Sequence, residues 1–108
     1  VRTIRDFDAV ITAPRWGYDD VDCYYREASP FERIRGGSVL PPMLLIHALD
    51  DPWVPADSAV ALASQRPPTM DACLPQRGGH NGFHGRGDTH LSSWADRHVS
   101  EWLVQRCR

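Results

Sequence analysis

Apolar residues are distributed along this chain in two distinct patterns. Val21, Tyr24, Tyr25 and Ala28 fall at i, i+3, i+4 and i+7 behind Asp19 and Asp20, the spacing of one helical face with an acidic start. Trp94, Ala95, His98, Val99, Trp102 and Leu103 trace a second such face between Ser92 or Ser93 and Gln105, with Asp96 near its beginning and Arg106 and Arg108 at its end. The stretch MLLIHA (43–48) has no such period, and its continuous apolarity predicts a strand buried on both faces, as in a parallel sheet. TMDACLP (69–75) is a second, weaker strand because Asp71 interrupts it. Between the two, a helix starting at Pro55 or Asp57 turns Val60, Leu62 and Ala63 inward until the RPP at 66–68 stops it. Strand, helix, strand, helix is the order of an α/β architecture.

The remaining segments are punctuation. Residues 1–17 mix charges with Phe7, Val10, Ile11 and Trp16 and break at Pro14 and Gly17, which predicts a short helix or an irregular arm. GGSVLPP (36–42) is a turn. QRGGHNGFHGRGD (76–88) is loop by composition, with Gly78, Gly79, Gly82, Gly85 and Gly87 inside it. No internal repeat or low-complexity tract interrupts the chain.

Composition narrows the function classes. With 108 residues, one domain burying roughly 65% of its unfolded surface is the upper bound. A formal net charge of -2 provides no basic face for nucleic acid or an anionic membrane. Every basic residue is arginine, a bias that points to a GC-rich bacterial genome. Cys23, Cys73 and Cys107 form no C-x-x-C pair, which argues against a disulfide framework or a cysteine zinc site and for a reducing, cytoplasmic home. The longest apolar run, Pro41 to Ala48, is far shorter than the roughly 20 residues that span a bilayer, and no signal peptide is evident.

The chemistry concentrates in two places. LLIHALDDPWVP (44–55) ends an apolar strand on Asp50 and Asp51, and RGGHNGF (77–83) places His80 in a glycine-rich loop just beyond the next strand. In parallel sheets, functional groups gather past the carboxyl ends of the strands. A carboxylate there can orient an imidazole and stabilise its protonated form, as the acid of a Ser-His-Asp triad does. Taken singly, Asp-Asp-Pro is an ordinary turn or helix cap and His80 an ordinary solvated histidine. Acid then base, at the ends of consecutive strands, is the order in which the last two triad members of α/β-hydrolases occur.

DFDAVITAPRWGYDDVDCYYREAS (6–29), PPMLLIHALDDPWVP (41–55) and RGGHNGF (77–83) together resemble the C-terminal part of the YheT-like branch of the α/β-hydrolase superfamily, from about Arg5 to the final helix. The resemblance implies the last parallel strands of that fold with their flanking helices, an incomplete sheet in one partial domain. Residues 1–37 would be an arm and helix near the cap, and residues 38–108 the strands and helices that carry the site. It also implies Asp51 as triad acid, three residues after Ala48 in the usual glycine place, with Asp50 as the competing carboxylate, and His80 as triad base. Trp53 and Phe83, close to these, are candidates for the walls of a substrate pocket; Tyr24 and Tyr25 line the cap or pack their helix onto the sheet. The substrate class implied is a small-molecule or lipid ester, with no cofactor and no metal.

No G-x-S-x-G nucleophile motif is present. GGSVL is the nearest imitation, but Ser38 precedes the strand that ends at Asp51, and six to eight residues at ~3.3 Å each separate the two by about 20 Å. The nucleophile, the oxyanion hole and the missing N-terminal part of the fold are therefore expected upstream, and Val1 in place of methionine fits a segment of a longer product. The chain alone is then expected to be inactive and prone to associate through an unpaired strand edge. Two rivals remain: a metal site on His80, His84, His90 and Asp88, and a non-catalytic interaction fragment using the strand edge and the Trp94/Trp102 face. The RGD at 86–88 is a three-residue match that arises easily by chance.

Overall fold

The computed structural model describes residues 1–36 and 39–107. In chain order the elements are α1 (Ile4–Phe7), a π-helical turn (Asp8–Thr12), α2 (Ala13–Arg15), α3 (Val21–Ala28), α4 (Pro30–Arg35), β1 (Met43–Ile46), α5 (Asp57–Ser64), β2 (Met70–Cys73) and α6 (Trp94–Arg106). They form two compact units, Val1–Ser38 and Val39–Arg108. Ser38 lies outside the described residues.

In the first unit the arm is helical. Thr3 and Asp6 close a capping box on α1, satisfying amides that the first turn leaves without partners. Asp8 accepts hydrogen bonds from the Thr12 hydroxyl and the Tyr25 hydroxyl, both at 2.7 Å. Arg5 pairs with Asp22 at 2.7 Å and lies over the Tyr25 ring. The Asp20 side chain caps α3 through the Cys23 amide. Val21 is buried, whereas Tyr24 is half-buried between Tyr18 and Tyr25, with ring centroids 5.3 and 5.5 Å apart. Both tyrosines thus have packing partners within their own unit. The α4 helix is additional to the predicted elements; Ser29 and Pro30 open it and Gly36 closes it, the usual start and stop residues.

In the second unit β1 and β2 pair in parallel, with Met43 opposite Met70 and Ile46 opposite Cys73. Two further backbone bonds extend the ladder, His47 N–H to the Cys73 carbonyl at 3.1 Å and Leu49 N–H to the Pro75 carbonyl at 2.9 Å. The expectation of a strand buried on both faces needs correcting: every residue of β1 is only half-buried, because a two-stranded sheet supplies few neighbours. The inward face of α5 is Ala59, Leu62 and Ala63, while Val60 is exposed. Ala59 holds the i, i+3, i+4 relation with Leu62 and Ala63 that Val60 lacks. Asp71, which weakened the case for β2, accepts from the Trp102 indole N–H at 2.6 Å and from Arg106, and so ties α6 to the strand. Ala48, Met70 and Phe83 complete a core built largely of small side chains. No helix among the described residues is long and apolar enough to cross a membrane.

Candidate active site

The parallel register decides where the chemistry falls. Because Ile46 lies beside Cys73, the loops after the two strands leave from the same edge, and residues far apart in sequence meet there. The His80 imidazole presents Nδ1 to Asp51 Oδ2 at 3.0 Å.

Each partner is held by its own loop. The other Asp51 oxygen accepts the Trp53 and Val54 backbone N–H groups at 2.8 and 2.9 Å. That is an Asx-type turn, with Pro52 at a position that needs no donor. The Val54 carbonyl lies 3.2 Å from His47 Nε2, so the last residue before the buried Ala48 also braces the turn. On the other side, Gly82 and Phe83 both donate backbone N–H groups to the Gly78 carbonyl at 3.1 Å. Gly79, Asn81 and Phe83 take positive φ values of 59°, 61° and 47°, which makes a tight reversal with His80 on its outer side. At Gly78 a Cβ would lie 2.7 Å from the Phe83 ring and 2.9 Å from Ala48 Cβ. Glycine is required there by space.

The electrostatics match the geometry. Asp51 has only 5% of its side chain exposed, against 35% for His80. Burial pushes the Asp51 carboxyl up, but the Val54 and Trp53 amides and His80 outweigh it and lower its pKa from 3.8 to about 2. An ionised carboxylate only accepts, so Nδ1 carries the proton of this bond. Near Nε2, Asn81 Nδ2 sits at 3.4 Å; no hydroxyl or thiol among the described residues bonds to it. A depressed carboxylate pKa means that the pair's contribution is complete above the ordinary carboxylate range and is lost as pH falls from near 4 toward 2. Carboxyl-carbon NMR of Asp51 should show a midpoint near 2; a midpoint at 3.8 or above would contradict the arrangement.

The sequence candidates divide accordingly. Asp51 and His80 come together. Trp53 is exposed, with its ring 5.0 Å from the His80 ring at 36°. Phe83 is 8% exposed and packs against Gly78 and the Trp94 ring. Asp50 does not touch His80; its Oδ1 accepts the Gly78 and Gly79 amides, each at 2.9 Å. The sequence pattern singles out neither Asn81 nor His47. Asn81 sits beside the candidate base in a glycine-rich turn, and a turn asparagine suited to positive φ is the available signal; His47, lying in an apolar run, carries none.

Several residues of the rival readings have partners within their own unit. His80 is committed to Asp51, His84 faces Asp88, and among the described residues no three His, Cys, Asp or Glu side chains gather as a metal set. Asp88 of the RGD is bound by Arg97 at 2.9 Å and by the Gly85 amide, so the tripeptide is fastened to α6. Trp94 stacks on His98 and Trp102 bonds Asp71, so both are engaged by their own unit.

Comparison with known proteins adds relatives. The chain is 36% identical over 104 residues to YheT of Escherichia coli K12, covering 96% of this chain and 30% of that protein. It is 36% identical over 83 residues to a monoacylglycerol lipase of Saccharomyces cerevisiae, covering 77% of this chain and 18% of the lipase. It is 34% identical over 82 residues to the human phospholipase ABHD3, covering 76% of this chain and 20% of that protein. The chain therefore spans less than a third of the length of each of these relatives. No protein-family model and no solved structure matches it.

Proposed function

We propose, from the premise that the chain belongs to the YheT-like branch of the α/β-hydrolase superfamily, that it supplies the acid and base of a serine-dependent carboxylic ester hydrolase. The observation that carries this reading is the 3.0 Å contact between His80 Nδ1 and the nearly buried Asp51 carboxylate, at the carboxyl ends of two adjacent parallel strands. His80 Nε2 takes the proton of a serine hydroxyl contributed by sequence upstream of this segment. The serine oxygen attacks the ester carbonyl, and the tetrahedral species collapses as Nε2 returns the proton to the departing alcohol. A water then repeats the two transfers, releasing the acid and regenerating the serine. Asp51 holds the imidazole in the Nδ1–H tautomer and stabilises its charge.

Residues 38–108 are the last strands and helices of the hydrolase fold, and residues 1–37 the arm near its cap. Among the described residues the paired strands each keep a free edge, in line with an incomplete sheet. Trp53, exposed beside His80, forms a wall for the acyl or alcohol group; Phe83 supports the loop from beneath. Relatives named as a monoacylglycerol lipase and a phospholipase favour a lipid ester as the substrate. The segment alone, lacking the nucleophile, does not turn over.

Intact mass of the natural protein, with and without a fluorophosphonate, tests the reading. A species well above 12.2 kDa that gains one adduct on a serine is expected. A 12.2 kDa product that stays unlabelled would overturn it in favour of a non-catalytic role.

A further inference from the structure

The two loops that carry Asp51 and His80 are not joined by the sheet. The last backbone bond between them is Leu49 N–H to the Pro75 carbonyl. Beyond it, three hydrogen bonds link them among the described residues: His80 to Asp51, and the Gly78 and Gly79 amides to Asp50 Oδ1. Two successive amides converging at 2.9 Å on one carboxylate oxygen form an anion-binding nest filled from within the chain. Gly79 reaches this arrangement through a φ of +59°, which a side chain would strain. His80 is the next residue.

We infer that Asp50 is the positioning residue for His80: it clamps the amides of Gly78 and Gly79 and thereby sets the height of the loop at which Nδ1 meets Asp51. The inference rests on the acyl-hydrolase reading for its catalytic consequence, but not for its geometric content. The adjacent carboxylates have separate duties, one gripping the backbone of the base's loop and one gripping the base itself. A single-residue advance along the chain past β1 directs one carboxylate to each.

The test uses the complete polypeptide that carries this segment. Asp50→Ala removes the acceptor, and a displacement of the imidazole by about 1 Å should lower kcat by 10- to 100-fold with KM within about threefold. Asp50→Asn keeps an acceptor oxygen and should restore kcat to within about threefold of the parent. The low-field Nδ1–H proton resonance of His80, present in the parent and in Asp50→Asn, should be lost or exchange-broadened in Asp50→Ala. A lower melting temperature with kcat and the resonance both intact would make Asp50 merely structural and overturn the inference. Should Asp50→Ala fail to fold, Asp50→Ser, whose short hydroxyl does not reach both amides, must show the same kcat loss; parental kcat there overturns the inference. If the parent itself neither takes a fluorophosphonate nor cleaves esters, the hydrolase reading fails, and the Nδ1–H resonance still decides whether Asp50 positions His80.

Discussion

Asp51→Asn, introduced into the complete polypeptide, should lower kcat about ten-thousand-fold while leaving KM within a few-fold. The reason lies in which Asp51 oxygen does what. Oδ1 is held by the Trp53 and Val54 amides, both donors, so an asparagine at this position must leave its carbonyl oxygen there. Its NH2 group then faces His80 Nδ1, where the carboxylate had accepted a hydrogen bond. Two donors cannot share that bond, and the imidazole shifts to the tautomer with the proton on Nε2. An imidazole in that form has no lone pair to offer a serine hydroxyl. The fold is spared, because the Asx turn survives, and ground-state binding is little affected. Steady-state kinetics over a range of ester concentrations checks the split. Equal damage from Asp50→Asn would mean that the acid had been assigned to the wrong carboxylate.

Gly78→Ala is expected to be the most disruptive single methyl group in the site. The new Cβ would meet the Phe83 ring at 2.7 Å and Ala48 Cβ at 2.9 Å, and neither can retreat easily, since Ala48 is 1% exposed and Phe83 8%. Forcing a methylene-sized group into a packed place costs about 1–3 kcal/mol. Relief comes by lifting the loop, which weakens the Gly78 and Gly79 bonds to Asp50 and moves His80 off Asp51. We expect kcat to fall at least about a hundred-fold together with a drop in thermal stability, measured by kinetics and by thermal melting of the same preparation. Parental activity and stability in Gly78→Ala would show that the loop does not bear on this contact.

Much of this site is legible in the sequence, for a physical reason. A continuous apolar strand followed by charge, then a second strand followed by a glycine-rich histidine loop, brings acid and base to the same sheet edge in any parallel arrangement. His80, and a carboxylate at Asp50 or Asp51, follow from that alone. What the sequence does not carry is the allocation of neighbouring side chains once the backbone leaves the ladder. Asp50 and Asp51 are identical in type and adjacent, and only the direction of each Cα–Cβ bond after Leu49 distinguishes backbone clamp from imidazole partner. The place of Phe83 against Gly78 is likewise not carried by its aromatic character. The helical error at Val60 is one of phase, since a short helix with alanines on several sides offers little contrast between its faces. The depth of burial of β1 is not legible either, because apolar composition reports what a strand can be packed against, and its four half-buried residues have one neighbouring strand among the described residues to meet.

The central claim is that His80, held by Asp51, activates a serine supplied from outside this segment. The rate of fluorophosphonate labelling in the complete polypeptide, compared between the parent and His80→Gln, tests it most directly. One adduct on a single serine in the parent, with labelling slowed by several orders of magnitude in His80→Gln, is the predicted result. Labelling at the same rate in both would show that the serine is activated by another base, and would contradict the account.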